Sequence, residues 1–383
     1  MGIKSTIDNL KLKIIEDYIP KLQNNSNFVL NLILFISLIV IISYIIIQFV
    51  NKSSLNYTNC INMNNIYKNN PSISNINVNN SNYKYSLRDY YVKSAYNACS
   101  ANLKNKNDYV NVCALKNCIK QGFRMLDFEV YSVNNKPVIS TSSVNNYKTK
   151  GTYNSIPFSE VINIINTYAF SNATCPNPND PLIIHLRIKS SNKKIYSEMA
   201  DIIYNTLKNR MLGPKYSYEN NGNNLGNIKL SELLGKIILS INKENSLFED
   251  TKLNEYVNIA SYSPLLRCLT YDNIYNNNDI TELTNYNKMC MTICIPNLSV
   301  SVDNYSSKLP MVYGCQFVAM CAQKNDYYMI EYNKKFNNAG SAFILKPIGL
   351  RYIPVTIPPP KLPPKSNSYA SRSISSNFYN FKI

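Results

Sequence analysis

From residue 28 to residue 50 the chain runs for 23 residues without a charge, interrupted only by Asn31, Ser37, Ser43 and Gln48. As a helix this stretch measures about 35 Å, against a hydrocarbon layer of about 30 Å. Backbone amides can be satisfied inside lipid only by a helix or a closed barrel. A cleaved leader would have a shorter apolar core ending in small residues. The stretch therefore predicts one transmembrane helix, which divides the chain into a short head and a large remainder. Lys11, Lys13 and Lys21 precede the span and Lys52 follows it, a modest bias toward a cytoplasmic N terminus. All ten cysteines, Cys60 to Cys321, come after the span. An even number on one side fits an oxidising lumen or exterior, with ten reduced core thiols as the alternative. Neither Cys290-x-x-x-Cys294 nor Cys113/Cys118 has a second ligand pair of zinc spacing, so no metal is expected.

These features predict five parts. Residues 1–27 form a head with an amphipathic helix over 10–22, and residues 28–50 form the transmembrane helix. Residues 51–83 are Asn/Ser-rich, nearly uncharged, and read as a tether; the sequons at Asn51, Asn56 and Asn79 mean little in so Asn-rich a chain. Residues 84–351 form the folded domain, with a first half at 84–243 and a second at 253–351. Residues 352–383, which include TIPPPKLPPK, form a Pro-rich flexible tail. Within the folded part, strand-like runs at 90–92, 125–130, 137–139, 181–188, 236–241, 257–262 and 315–320 alternate with helical periods at 158–168 and 195–212. Short strands separated by helices predict an α/β fold with a parallel sheet, and the length suits a (β/α)8 TIM-type barrel.

One strand carries chemistry. In Met125-Leu126-Asp127-Phe128-Glu129-Val130 the two acids are two residues apart, so both carboxylates leave the same face. Side by side they repel unless a cation lies between them. Arg187, on the strand at 181–188, shares a face with His185, and its guanidinium is expected to be that cation. His185 itself reads as a satisfied core histidine. It is the only histidine in a chain with no tryptophan, so a mechanism using two imidazoles is excluded by composition. The formal charge is +17, with 40 Lys and Arg against 23 Asp and Glu. A basic surface suits anionic lipid or nucleic acid; the lysine usage of an AT-rich genome accounts for it more plainly, and no nucleic-acid partner is expected.

The ordered motifs resemble the catalytic barrel of the eukaryotic-type phosphoinositide-specific phospholipases C, across both halves. SLRDYYVKSAYNACS, GFRMLDFEVYSVNNKPVISTSS, PLIIHLRIKSS and LSELLGKIILS follow the order of the family's first half. NIASYSPLL, IPNLSVSVDNYSS, YGCQFVAMCAQ and NNAGSAFILKPIGLR follow that of the second. The resemblance implies a barrel of the phospholipase C-like phosphodiesterase kind, and implies roles by position. The family's two catalytic histidines fall on Tyr96, in Ser94-Ala95-Tyr96-Asn97, and on Thr141. Its calcium ligands fall on Asn97, Asp127, Glu129 and Arg187. Two phosphate-gripping lysines fall on Ser240 and Asn242, a headgroup-touching serine on Ser261, and the arginine and tyrosine that frame the inositol ring on Ile293 and Ile295.

Neither a phenol with pKa near 10 nor an aliphatic hydroxyl shuttles protons near pH 7, and each general acid or base is worth roughly 10²- to 10⁴-fold. The expectation is therefore a membrane-anchored, catalytically inactive homologue with a binding or structural role. It would hold no cofactor, have the membrane, anionic lipid headgroups and an unidentified protein as partners, and carry its barrel on the non-cytoplasmic side. Compositional style places it in a virion or host membrane of a large DNA virus. The alternative is an active phosphoric diester hydrolase, working on phosphatidylinositol or another lipid without metal, with Arg187 in place of calcium.

Overall fold

The computed structural model describes residues 26–145, 149–354 and 370–383, with Glu16, Pro360 and Lys361. The helix expected over residues 10–22 lies, but for Glu16, outside the described residues. Eleven strands share one sheet: β1 (Tyr90–Ala95), β2 (Met125–Val133), β3 (Lys136–Ser140), β4 (Ile156–Pro157), β5 (Leu182–Ile188), β6 (Ile237–Asn242), β7 (Ile259–Ser261), β8 (Leu266–Thr270), β9 (Met291–Ile295), β10 (Phe317–Met320) and β11 (Phe343–Leu345). Eight of them run parallel in the order β7-β6-β5-β2-β1-β10-β9-β8. The two end strands of that order lie beside each other, making a nearly closed barrel, as the alternation of strands and helices predicts. β3 and β4 extend the wall antiparallel from β2, and β11 lies antiparallel on β1.

Strands β8 and β9 are not among the expected runs. In β8 a charge interrupts the apolar pattern, because Arg267 faces outward and pairs with Glu282 at 2.6 Å. The register explains the two-tiered interior. Pairing of Met125 with Ile183, Asp127 with His185 and Glu129 with Arg187 puts these residues on one face. Ile183, Ile238 and Ile259 fill the lower barrel, while the acids, Arg187, His185, Ser240 and Ser261 fill its C-terminal end. The alternate residues Leu126, Phe128, Ile184 and Leu239 are buried under the surrounding helices.

Residues 51–66 correct the tether expected there. Helix α1 runs unbroken from Ser26 to Ile66. Its first two-thirds expose apolar side chains on every side, and it is long and apolar enough to cross a membrane. Beyond Lys52 it lies on the barrel's flank, where Asn59, Met63 and Tyr67 are buried. A stripe at a four-residue interval was present in LNYTNCINMNNIY, but asparagines occupy half of it and mask the period. Asn59 donates to Asp108 at 2.7 Å, Tyr67 donates to the Ala322 carbonyl at 2.5 Å, and Ile73 and Ile76 join the main core. Cys60 is disulfide-bonded to Cys113, and the other eight cysteines are free thiols, seven of them buried. The tail from Tyr352 is a separate unit. Its described part is also more ordered than the flexible segment expected, since Ser373–Ser375 pairs antiparallel with Asn380–Lys382.

Candidate functional site

Each polar residue at the barrel's C-terminal end arrives by a separate strand. β1 leads directly into Tyr96 and Asn97, with Asn97 in a left-handed turn (φ 44°) that asparagine tolerates. β2 brings Asp127 and Glu129, β5 brings His185 and Arg187, β6 brings Ser240 and Asn242, and β7 ends in Ser261. Thr141 follows β3, which returns along β2 with Ser140 opposite Glu129.

Arg187 occupies the centre. Its Nε donates to Asp127 Oδ1 at 2.9 Å and its Nη2 to Asp127 Oδ2 at 2.7 Å. Its Nη1 donates to Glu129 Oε1 at 2.8 Å, and Nη2 also to Asn97 Oδ1 at 2.8 Å. The Tyr96 ring covers the guanidinium face, 4.6 Å from centroid to Cζ. The second oxygen of Glu129 accepts from the Tyr131 hydroxyl at 2.8 Å and the Ser142 amide at 3.0 Å. Asp127 Oδ2 accepts from the Asn97 amide at 3.1 Å. His185 Nδ1 lies 2.8 Å from Asp127 Oδ1, and its Nε2 lies 2.8 Å from Ser261 Oγ. Since a carboxylate only accepts, Nδ1 donates to Asp127, and Nε2 shares a hydrogen bond with the Ser261 hydroxyl.

Charge follows from this geometry. Burial pushes the Asp127 carboxyl up, but the adjacent Arg187 and the His185 hydrogen bond outweigh it and hold the group well below the usual carboxylate range. Burial disfavours the Arg187 cation, yet Asp127, Tyr96 and Glu129 together hold its proton more tightly than usual. Burial pushes the Tyr96 phenol far above its ordinary value, with Arg187 opposing only in part. A group so hard to ionise neither takes nor gives a proton at neutral pH.

The donor set does not fit a calcium ion. Calcium takes six to eight oxygens at about 2.3–2.6 Å, whereas the oxygens of Asn97, Asp127 and Glu129 converge on a guanidinium that fills their centre. Thr141 and Ser240 keep hydroxyls without a hydrogen-bond partner among the described residues, and Asn242 accepts from the Glu244 amide at 2.8 Å to shape its own turn. Ile293 is buried and Ile295 half-buried on β9. The Ser261–His185–Asp127 series has the connectivity that activates a nucleophile elsewhere, but all three side chains are wholly buried and no solute reaches the Ser261 hydroxyl.

A roof of three loops closes the site. Asn105 N donates to the Val300 carbonyl at 2.8 Å, Val302 N to the Leu103 carbonyl at 3.1 Å, Asn107 N to the Gly151 carbonyl at 3.0 Å, and Gly151 N to the Thr141 carbonyl at 2.8 Å. Val302 shares a small buried apolar cluster with Tyr96, Ala319 and Cys321. A cavity of about 210 Å³ lies on the roof side, lined by Tyr96, Asn105, Tyr271, Ser301, Asn304 and Tyr305 and by neither Asp127 nor Glu129. A larger cavity, about 540 Å³, lies elsewhere, between Asn64, Lys116, Tyr168 and Cys175 on the flank. Sequence reasoning named the central cluster but missed Tyr131, Ser142 and the roof. Tyr131 and Ser142 follow site residues by two positions and one, a weak signal; the roof depends on loop pairings between distant segments and left none.

Comparison with known proteins agrees with this architecture. Residues 83–243 match the family model of the phosphatidylinositol-specific phospholipase C X domain. No curated protein matches the chain in sequence. Among solved structures, the barrel is similar to PLC21 of L. pealei, with a TM-score of 0.58 and 17% identity over 71% of this chain. It is likewise similar to PLC21 of S. officinalis, with a TM-score of 0.57 and 17% identity over 71% of this chain. In both cases the match spans 38% of the other protein's length. The chain thus carries a barrel with the fold of these phospholipase C structures, and residues 83–243 of it match the phosphatidylinositol-specific phospholipase C X domain in sequence.

Proposed function

We propose that this barrel is a non-catalytic, membrane-anchored relative of the phospholipases C, with a binding or structural role. The observation that carries the proposal is the Arg187 guanidinium, hydrogen-bonded by Asp127, Glu129 and Asn97 at the point where their oxygens converge. In the motif positions where the resemblance implies two proton-shuttling histidines, Tyr96 lies against Arg187 and the Thr141 hydroxyl has no hydrogen-bond partner among the described residues. The roof adds a second obstacle to any phosphodiester. Of the implied headgroup residues, Ser261 and Asn242 are committed to internal hydrogen bonds, which also favours a role outside headgroup cleavage. No metal or other cofactor is part of the proposal.

Anchoring through residues 28–50 is supported by the exposed apolar face of α1. A barrel on the non-cytoplasmic side is supported by the Cys60–Cys113 disulfide, since such bonds persist in oxidising compartments. The basic balance supports anionic lipid headgroups as partners, and a protein partner remains part of the proposal. A viral setting rests on composition alone.

The test is an assay of the purified full chain on vesicles containing phosphatidylinositol or its bisphosphate, with and without calcium. The expected outcome is no release of inositol phosphates in either condition. Calcium-independent release that Arg187→Gln abolishes would instead establish the metal-free enzyme.

A further inference from the structure

Asparagine is frequent enough in this chain for the pattern Asn-x-Ser/Thr to arise by chance, and after the apolar stretch it occurs at Asn51, Asn56, Asn79, Asn172, Asn297 and Asn304. The structure separates these positions. Asn51 continues α1 directly beyond residue 50, where a bilayer spanned by residues 28–50 would crowd it. Asn56 is half-buried, and its Oδ1 accepts from Asn111 Nδ2 at 3.0 Å. Asn304 is buried, and its Nδ2 donates to the Cys321 and Lys324 carbonyls at 3.2 and 3.0 Å. Asn297 accepts from the Asp272 amide at 3.0 Å and so helps to hold the short helix Tyr271–Tyr275.

Asn79 and Asn172 differ from the other four. Both are exposed, and neither side chain is engaged in a hydrogen bond among the described residues. Asn79 is the third residue of a turn closed by the Asn80 amide on the Asn77 carbonyl at 3.0 Å. Asn172 stands in a turn where the Thr174 and Cys175 amides reach back to the Ser171 carbonyl at 3.1 and 2.9 Å. Each turn has a buried footing, Ile76 before Asn79 and Cys175 after Asn172, so the acceptor amide is held outward from a fixed base. The Asn179 amide donates to Asn75 Oδ1 at 2.8 Å, which sets the segment before Asn79 beside the loop entering β5, and Asn172 lies earlier in that same loop. Both acceptors therefore belong to the N-terminal end of the barrel. Asn172 also lines the flank cavity together with Asn64, which stands about 21 Å along α1 from residue 50, well clear of a bilayer around the apolar stretch.

We propose that Asn79 and Asn172 are sites of N-linked glycosylation. The proposal rests on the reading that residues 28–50 span a membrane with the barrel on its non-cytoplasmic side. The co-reactant is a polyprenyl diphosphate-linked oligosaccharide of the secretory compartment. The side-chain amide nitrogen bonds to the anomeric carbon of the sugar and gives up one proton, while the bond from that carbon to the diphosphate oxygen breaks and the lipid diphosphate leaves. Glycans at these two turns cover the end of the barrel where the strands begin, and they leave the roof over Arg187 free.

The test produces the full chain in cells with a eukaryotic secretory pathway and digests it with an amidase that releases N-linked glycans, leaving aspartate at each former acceptor. Gel mobility is expected to increase on digestion, and peptide mass spectra to show the conversion at positions 79 and 172. Asn79→Gln and Asn172→Gln should each remove one step of the shift, and the double variant all of it. Lys11→Thr completes an Asn9-x-Thr pattern in the head and reports on the opposite side of the membrane. An unshifted parent overturns the proposal, and protease treatment of intact microsomes says at which level. A protected barrel leaves the topology standing and removes the glycosylation alone, whereas a digested barrel, with Asn9 modified in Lys11→Thr, reverses the topology as well. Glycans on Asn56, Asn297 or Asn304 in place of the two turns would also overturn it.

Discussion

The carboxylate of Asp127 and the guanidinium of Arg187 meet as a two-pronged pair, at 2.9 and 2.7 Å, although the residue directly across the strands from Arg187 is Glu129. Arg187 thus reaches back along its strand to Asp127 and still donates to Glu129 through its other terminal nitrogen. One cation fixes two acids from adjacent levels of β2, and bidentate pairing of this kind fixes geometry as well as charge. Because both partners are buried, the arrangement is costly to break from either side.

Arg187→Glu restores the residue implied by the family resemblance and is expected to destabilise the barrel without producing catalysis. Three carboxylates would face one another in a closed site. Removing one member of a buried pair typically costs about 3–5 kcal/mol, a large share of a domain's roughly 5–15 kcal/mol. Thermal melts of parent and variant, with a lipid-cleavage assay alongside, measure both effects. A variant that melts no lower than the parent would mean Arg187 is not the internal counter-ion.

Calcium is expected not to bind the parent protein at this site, because an incoming divalent ion would meet the guanidinium. Calorimetric titration should give no site of micromolar affinity. Binding that disappears in Asp127→Asn would refute the prediction.

Stability is expected to rise from pH 7 to about pH 9. Burial pushes Lys93 and Lys346 from 10.5 down to about 7. Between those values the unfolded chain holds protons that the folded one lacks, so raising the pH favours the fold by at most about 1.4 kcal/mol per pH unit for each group. Above 9 the sign reverses, because burial pushes Cys118, Cys268 and Cys315 from 9.0 up to about 12, and these thiols ionise first in the unfolded chain. Melting temperature against pH measures the profile, and Lys93→Met should flatten its rising limb. A flat profile from 7 to 9 in the parent would contradict the assignment.

Gly151→Ala is expected to loosen the roof. A Cβ there would lie 2.5 Å from the Asn105 carbonyl oxygen and 3.0 Å from Ser142 Cα, both backbone atoms. Overpacking of this kind costs roughly 1–3 kcal/mol. Hydrogen exchange should quicken at Asn105, Asn107 and Val302 while β5 amides stay protected. Unchanged exchange at those three amides would mean the loops close independently of Gly151.

The barrel and the central charge cluster were legible because both follow from short-range rules. Alternation places Asp127 with Glu129, and equal parity places His185 with Arg187. The link from His185 to Ser261 joins residues 76 positions apart, and no local period encodes it. The 51–66 stretch failed for another reason. Its composition is that of a linker, and its helix is fixed by burial of Met63 and Tyr67 and by paired asparagine amides. Asn56 with Asn111 and Asn64 with Asn117 satisfy each other in a way that hydropathy counts as disorder.

With no joint along its length, α1 would work as a mast wherever residues 28–50 cross a bilayer, as proposed. Its 16 residues beyond residue 50 measure about 24 Å. If the span tips by about 20° to match a thinner bilayer, the far end of the mast swings sideways by about 8 Å, and the barrel clamped to it at Cys60 and Met63 must swing too. Membrane thickness then becomes a mechanical input to the barrel, transmitted as leverage.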